Sequence, residues 1–143
     1  MAEVFVNYRL VEFCETDSAG IAHFANFFCY MEQTEHAFLR SLGTSVMLTT
    51  SEGWRLSWPR VHAECDFLGT VRFEEQLKIC LSIERIGKKS ITYRFDFFSN
   101  GDKLVAKGKL VAVCCQVPAG ESSIRSIEIP ATLRLQLEAY ACI

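Results

Sequence analysis

The chain has 143 residues, half of them apolar and 12% aromatic, which is material for one packed domain over residues 1–143 and not the composition of a disordered segment. Its formal net charge of -2 excludes a nucleic-acid binder that relies on bulk attraction to phosphate. No apolar run reaches bilayer-spanning length, and MAEVFVNYRLVEF carries charges throughout where a signal peptide would be apolar, so no membrane partner and a cytoplasmic location are expected.

In chain order, the N-terminal segment reads as a strand that hands over, through FCETDSAGIAHFANF, to one long helix. From Phe24 the residues Phe24, Phe27, Phe28, Met31, Phe38, Leu39 and Leu42 recur at helical spacing, and Gly43 follows as a stop. The stripe is broad and aromatic, which predicts a central helix rather than a superficial one. Alternation then sets in. Val61, Ala63, Cys65 and Phe67 oppose Arg60, His62, Glu64 and Asp66. Leu77, Ile79, Leu81 and Ile83 oppose Gln76, Lys78, Cys80 and Ser82, and Ile91, Tyr93, Phe95 and Phe97 oppose Thr92, Arg94 and Asp96. This period of two predicts strands with one wet face.

A further strand is predicted from Lys103 to Val117. The links IGKKS and SNGDK are short enough to make the last three strands an antiparallel meander. Pro130 opens a final segment, ATLRLQLEAY, that can be helical. The predicted architecture is α+β, a five-stranded antiparallel sheet wrapped around one helix. The cysteines Cys14, Cys29, Cys65, Cys80, Cys114, Cys115 and Cys142 are odd in number and form no C-x-x-C pair. They read as reduced core or semi-core residues, with no metal-ligand spacing.

The junction before the helix admits two readings. Asp17 can cap a turn while Gly20 fills a left-handed position. The same carboxylate, just upstream of a helix N-terminus, can also belong to a site.

The segment VEFCETDSAGIAHFANFFCYMEQTEHAFLRSLG resembles the signature of hotdog-fold acyl-CoA thioesterases. More narrowly it is similar to the 4-hydroxybenzoyl-CoA thioesterase group, whose pattern is roughly F-x-D-x-D-x-x-G-[IV]-x-x-x-x-N-[YF]. Phe13, Glu15 (in place of Asp), Asp17, Gly20, Ile21, Asn26 and Phe27 meet it. The predicted strand order and the tail IRSIEIPATL are similar as well. The resemblance implies a hotdog fold, hydrolysis of an acyl-CoA thioester, and no cofactor, CoA being part of the substrate. It also implies homodimers that pair into homotetramers, which a lone sheet edge would favour. Transferred here, the nucleophile or general base is Asp17, and the oxyanion donor is a backbone N–H at about Phe24. Asn26 matches a position that orients the site or its water.

The physics agrees. N–H groups at a helix start suit the oxyanion of an attacked thioester carbonyl, and Gly20 would let the backbone approach the substrate closely.

Other residues carry secondary expectations. His23, beside the helix start, either lines the pocket or serves as a cap, and His36 and His62 fall on polar faces with no nucleophile near them in sequence. Glu32 matches an acidic helix position of the family. Glu35 interrupts the apolar stripe, so it either meets a buried partner or faces a cavity as a second carboxylate. Lys88 and Lys89 of IGKKS, with Arg125 of the tail, match basic positions that meet the CoA phosphates, whereas Gly87 and Ser123 stand where relatives have further basic residues. Trp54, Trp58 and Tyr30 are either pocket walls or core. Two rival readings remain, a hotdog dehydratase or hydratase and a non-catalytic acyl-thioester binder. The first wants a catalytic histidine that the motif does not place at Asp17.

Overall fold

A computed structural model of the protein describes residues 2–142. The order of elements is β1 (Phe5–Leu10), a 3-10 turn (Phe13–Glu15), α1 (Asn26–Ser41), β2 (Leu48–Thr49), β3 (Arg55–Ser57), β4 (Arg60–Phe67), β5 (Gln76–Ile86), β6 (Ser90–Ser99), β7 (Lys103–Val113), β8 (Cys115–Val117), β9 (Arg125–Ser126) and α2 (Ala131–Glu138). Five strands form the main sheet in the order β1-β5-β6-β7-β4, each neighbour antiparallel. This is the predicted hotdog architecture, with α1 held against the concave face.

The meander β5–β6–β7 forms as its links predict. Asn100 and Gly101 both take positive φ, 48° and 82°, which suits a tight hairpin whose twist matches its strands. Inward residues of β5 and β6, from Leu77 to Ile83 and from Ile91 to Phe97, are fully buried. Each such side chain contributes about 1.5–3 kcal/mol of burial free energy. Opposite them α1 buries Phe27, Tyr30, Met31, Thr34, Glu35, Phe38 and Leu39. Gly108 in the middle of β7 allows this approach, because a Cβ there would overlap the Met31 sulfur.

Several details differ from the sequence pattern. The helix starts at Asn26, and Phe24 lies in the turn before it with a side chain 60% exposed. Its end is a Schellman motif. Gly43, at φ 80°, donates to the Arg40 carbonyl, and Thr44 donates to that of Leu39. The strand predicted from Lys103 to Val117 breaks at Cys114, where the chain leaves the main sheet for a second one, ordered β2-β3-β8-β9. Strand β4 is an edge and is exposed along most of its length, so its apolar residues are not core. Of the cysteines, Cys114 and Cys115 are buried, but Cys14, Cys29 and Cys142 are exposed, against the expectation of a core role.

A register shift between Arg60 and His62 sets the direction of the first residue of β4. Arg60 pairs with buried Ala112, while His62 pairs with Val111. The bulge turns Arg60 off the polar face expected of it and inward toward α1. Among the described residues no helix is long and apolar enough to cross a membrane.

Candidate active site

Residues 16–22 form a small closed loop. Thr16 bridges Ala22, Asp17 N–H donates to the Ile21 carbonyl at 2.9 Å, and Gly20 N–H donates back to the Asp17 carbonyl at 2.9 Å. Gly20 sits at φ 77°, a conformation that a side chain would strain. An added Cβ would find ordinary contact with Arg72, and Gly20 is exposed, so the backbone conformation rather than crowding calls for glycine.

The half-buried Asp17 carboxylate divides its two oxygens. Oδ1 accepts the Ala19 N–H at 2.9 Å in a local side-chain turn, and Oδ2 has no protein partner among the described residues. Asp17 lines a cavity of about 510 Å³ together with Ile21, Phe24, Phe27, Phe67 and Val71. Both readings of the junction therefore hold at once, a turn cap on one oxygen and a free oxygen beside a largely apolar cavity.

Most backbone donors from Ala22 to Phe28, beside this cavity, are used. Ala22 N–H donates to Val71, His23 N–H to Glu15, Asn26 N–H to His23, Phe27 N–H to Phe24 and Phe28 N–H to Ala25. Ala25 N–H donates to the His23 ring Nδ1 at 3.2 Å. From Ala22 to Phe28 only the Phe24 N–H has no acceptor among the described residues. A free donor at the positive end of a 16-residue helix, on a residue that lines the same cavity as Asp17, can stabilise negative charge on a bound carbonyl oxygen.

The other candidates separate. The Asn26 amide donates to the Glu15 carbonyl at 2.7 Å and is not part of the cavity wall. The His23 ring caps Ala25 and stacks on Phe24 at 4.7 Å, so the capping alternative describes it. Tyr30 and Trp58 are core, Trp54 is half-buried, and none of the three lines the cavity.

Lys88 and Lys89 lie in the turn after β5, where Lys89 Nζ reaches Ser126 Oγ at 3.4 Å and so adjoins Arg125 on β9. This basic group forms, but at the far end of the sheet. The cavity wall includes Leu68 to Val71, in the segment that leads into β5, whose 11 residues place its ends roughly 33 Å apart at about 3.3 Å per residue. Within one protomer these basic residues are not at the cavity mouth.

Glu35 has a partner. Its side chain is fully buried and Oε1 is paired with Arg60 Nη2, while Arg60 Nη1 donates to the Trp58 carbonyl at 2.8 Å. The His36 ring Nε2 lies 3.4 Å from the same guanidinium. Burial lowers the Arg60 pKa from its ordinary value, opposed by the Glu32 charge. Burial also pushes the Tyr93 hydroxyl well above the ordinary phenol range, with the Arg60 charge acting against it. His62 meets Glu64 at 3.2 Å on the exposed edge, away from any nucleophile. Among the described residues no three His, Cys, Asp or Glu side chains are grouped to hold a metal ion.

Sequence reasoning singled out Glu15 only as a motif position. In the fold its carboxylate pairs with Arg9 and accepts the Tyr30 hydroxyl at 3.1 Å, and burial with the Glu15 charge raises the Tyr30 pKa. An acidic residue two positions before Asp17 was the available signal.

Known proteins resemble this chain in sequence and in fold. The family model described as "Thioesterase superfamily" matches residues 19–106. A 1,4-dihydroxy-2-naphthoyl-CoA hydrolase of Nostoc punctiforme is 32% identical over 114 residues, 77% of this chain and 73% of its own length. The enzyme of the same name from Prochlorococcus marinus (strain NATL2A) is 29% identical over 103 residues, 67% of this chain and 66% of its own length. Among solved structures, a gentisyl-coenzyme A thioesterase superposes with a TM-score of 0.76 at 25% identity, covering 90% of this chain and 98% of its own. The dynemicin thioesterase superposes at 0.82 over 99% of both chains with 20% identity, a likeness of fold.

Proposed function

The chain belongs to the thioesterase superfamily, and from that premise we propose that it hydrolyses acyl-CoA thioesters to the free acid and CoA at the cavity beside Asp17. The observation that carries this reading is the pairing of a free carboxylate oxygen on Asp17 with the free N–H of Phe24. The thioester carbonyl oxygen accepts from the Phe24 N–H, which holds the negative charge that develops when the carbon is attacked. Asp17 either removes a proton from the attacking water or attacks the carbonyl itself. In the first case the tetrahedral adduct collapses with loss of CoA thiolate. In the second, the tetrahedral adduct of Asp17 and the carbonyl carbon expels CoA thiolate to leave an acyl-aspartyl anhydride, which water then opens to the acid and the free Asp17 carboxylate. Neither path needs a metal or redox cofactor.

An aromatic acyl group is the substrate class we favour. Phe24, Phe27 and Phe67 line the cavity, and two relatives carry names that specify a naphthoyl-CoA. We read residues 1–143 as one catalytic domain that works in the cytoplasm as a homodimer assembling into a homotetramer. Exposed Val61, Phe67 and Leu68 along the β4 edge support such pairing. Lys88, Lys89 and Arg125 then serve CoA phosphates bound at another protomer's cavity, since their own lies a strand's length away. His23 acts by holding the turn, not by contact with substrate.

The test is a panel of aliphatic and aromatic acyl-CoAs read by loss of thioester absorbance, with wild type and Asp17→Asn side by side. Wild type is expected to turn over aromatic members fastest. No hydrolysis of any member, with binding retained, refutes the enzyme reading for these substrates.

A further inference from the structure

Glu15 gathers more contacts than a turn residue needs. Its backbone carbonyl accepts both the His23 N–H, at 2.8 Å, and the Asn26 amide, at 2.7 Å. The carboxylate Oε1 accepts the Glu12 N–H at 2.8 Å and the Tyr30 hydroxyl at 3.1 Å, while Oε2 pairs with Arg9. The guanidinium of Arg9 in turn lies 5.0 Å from the centroid of the fully buried Tyr30 ring. One residue thus ties β1, the loop that carries Asp17 and the first two turns of α1 into a single network.

We propose that Glu15 is a positioning residue, which locks the Asp17 loop to the start of α1 and so fixes the spacing between the Asp17 carboxylate and the Phe24 N–H. The inference rests on the catalytic reading of that pair. Asp17 is two residues beyond Glu15, and Phe24 is the residue after His23, whose N–H Glu15 accepts. Both groups are therefore anchored through the same carbonyl, and the carboxylate braces that carbonyl from β1 and from the helix. Displacement of a reacting group by about 1 Å can cost about a hundredfold in rate. The loop's own bonds, two between backbone groups and one to the Asp17 side chain, close it on itself and do not tie it to the start of α1.

Two conservative variants test the brace. Glu15→Gln keeps the shape and removes the charge opposite Arg9, and Tyr30→Phe removes one hydroxyl. Amide hydrogen exchange followed by NMR reads the brace without substrate. Glu15→Gln is expected to speed exchange about tenfold or more at the His23 N–H and the Asn26 side-chain amide and leave residues 36–41 unchanged. Unchanged exchange at these two groups overturns the proposal.

Kinetics on the best acyl-CoA of the panel give the second arm. Glu15→Gln is expected to lower kcat roughly 10- to 100-fold with KM within about threefold, and Tyr30→Phe to lower it several-fold. Added to Asp17→Asn, Glu15→Gln is expected to cost clearly less than it does alone, because part of its effect acts through Asp17. Full multiplication of the two losses overturns the positioning role and leaves a general structural one. If Asp17→Asn alone matches wild type, the catalytic reading has failed, and the exchange arm still decides whether the brace exists.

Discussion

Two carboxylates flank the same stretch of α1 and live in opposite conditions. Asp17, before the helix start, is half-buried, and one of its oxygens has no protein partner among the described residues. Glu35, two and a half turns into the helix, is fully buried, and Arg60 holds it from the first residue of β4. The first group can meet a ligand at a cavity wall. The second is enclosed with a counter-charge, and its other oxygen, Oε2, has no hydrogen-bond partner among the described residues. An acid that interrupts an apolar stripe is thus not catalytic on that ground alone. What distinguishes them is an open side, which Asp17 has and Glu35 lacks.

Arg60→Met should break the buried member hardest. Removing one partner leaves a carboxylate unpaired in the core, which costs about 3–5 kcal/mol in comparable cases. Chemical denaturation should show a loss of that size, and Glu35→Met combined with Arg60→Met should restore most of it. If the single variant unfolds like wild type, Glu35 is not held by this pair. Asp17→Asn should do the reverse. A fall in kcat of about a thousandfold, roughly 4 kcal/mol of transition-state stabilisation, is expected with the denaturation midpoint little changed. Equal loss of stability in the two variants would erase the contrast between the sites.

Gly20→Ala probes the loop that presents Asp17. With φ at 77° and room for the methyl group, the penalty is conformational alone, about 1–2 kcal/mol. Denaturation should report that loss. A stability equal to wild type would mean that the loop relaxes to another conformation.

How much of this could be read in the sequence depended on whether the cause was local. The α1 period, the Gly43 stop and the Asn-Gly hairpin are all set within a few residues, and each formed. Asp17 and Gly20 were legible for the same reason, since a turn and a helix start are neighbours in the chain. Arg60 was misread because its direction depends on a bulge against β7, some 50 residues later. The small sheet was missed because strands of two or three residues, such as β2, β8 and β9, have no period to detect. The family resemblance points to the Phe24 N–H, but that it stays free while its neighbours from Ala22 to Phe28 have acceptors shows only in the fold. Glu15 stood in a recognisable position, but its partners Arg9 and Tyr30 come from a strand and a helix whose meeting the chain order does not reveal.

The smallest expected effect concerns the thiols, and it extends the same contrast between open and enclosed groups. Burial pushes Cys65 up to about 11 and Cys114 up to about 12. Exposed Cys14, Cys29 and Cys142 should therefore react first with a thiol reagent at pH 8, and Cys114 last. The sign for stability follows from the same shifts. The folded state resists ionising these thiols, so their contribution is fully present below the unfolded thiol range, near 8.5–9, and is lost as pH rises toward 11 and 12. Tyr30 and Tyr93, also raised by burial, add a loss of the same sign above about pH 10. Stability measured by denaturant should be flat in these groups below pH 8 and should fall from about pH 9 upward. Cys114→Ala should flatten the part of that fall between about pH 9 and 10, before the tyrosines take part. An unchanged slope there would mean that the Cys114 thiol ionises as freely in the fold as in the unfolded chain.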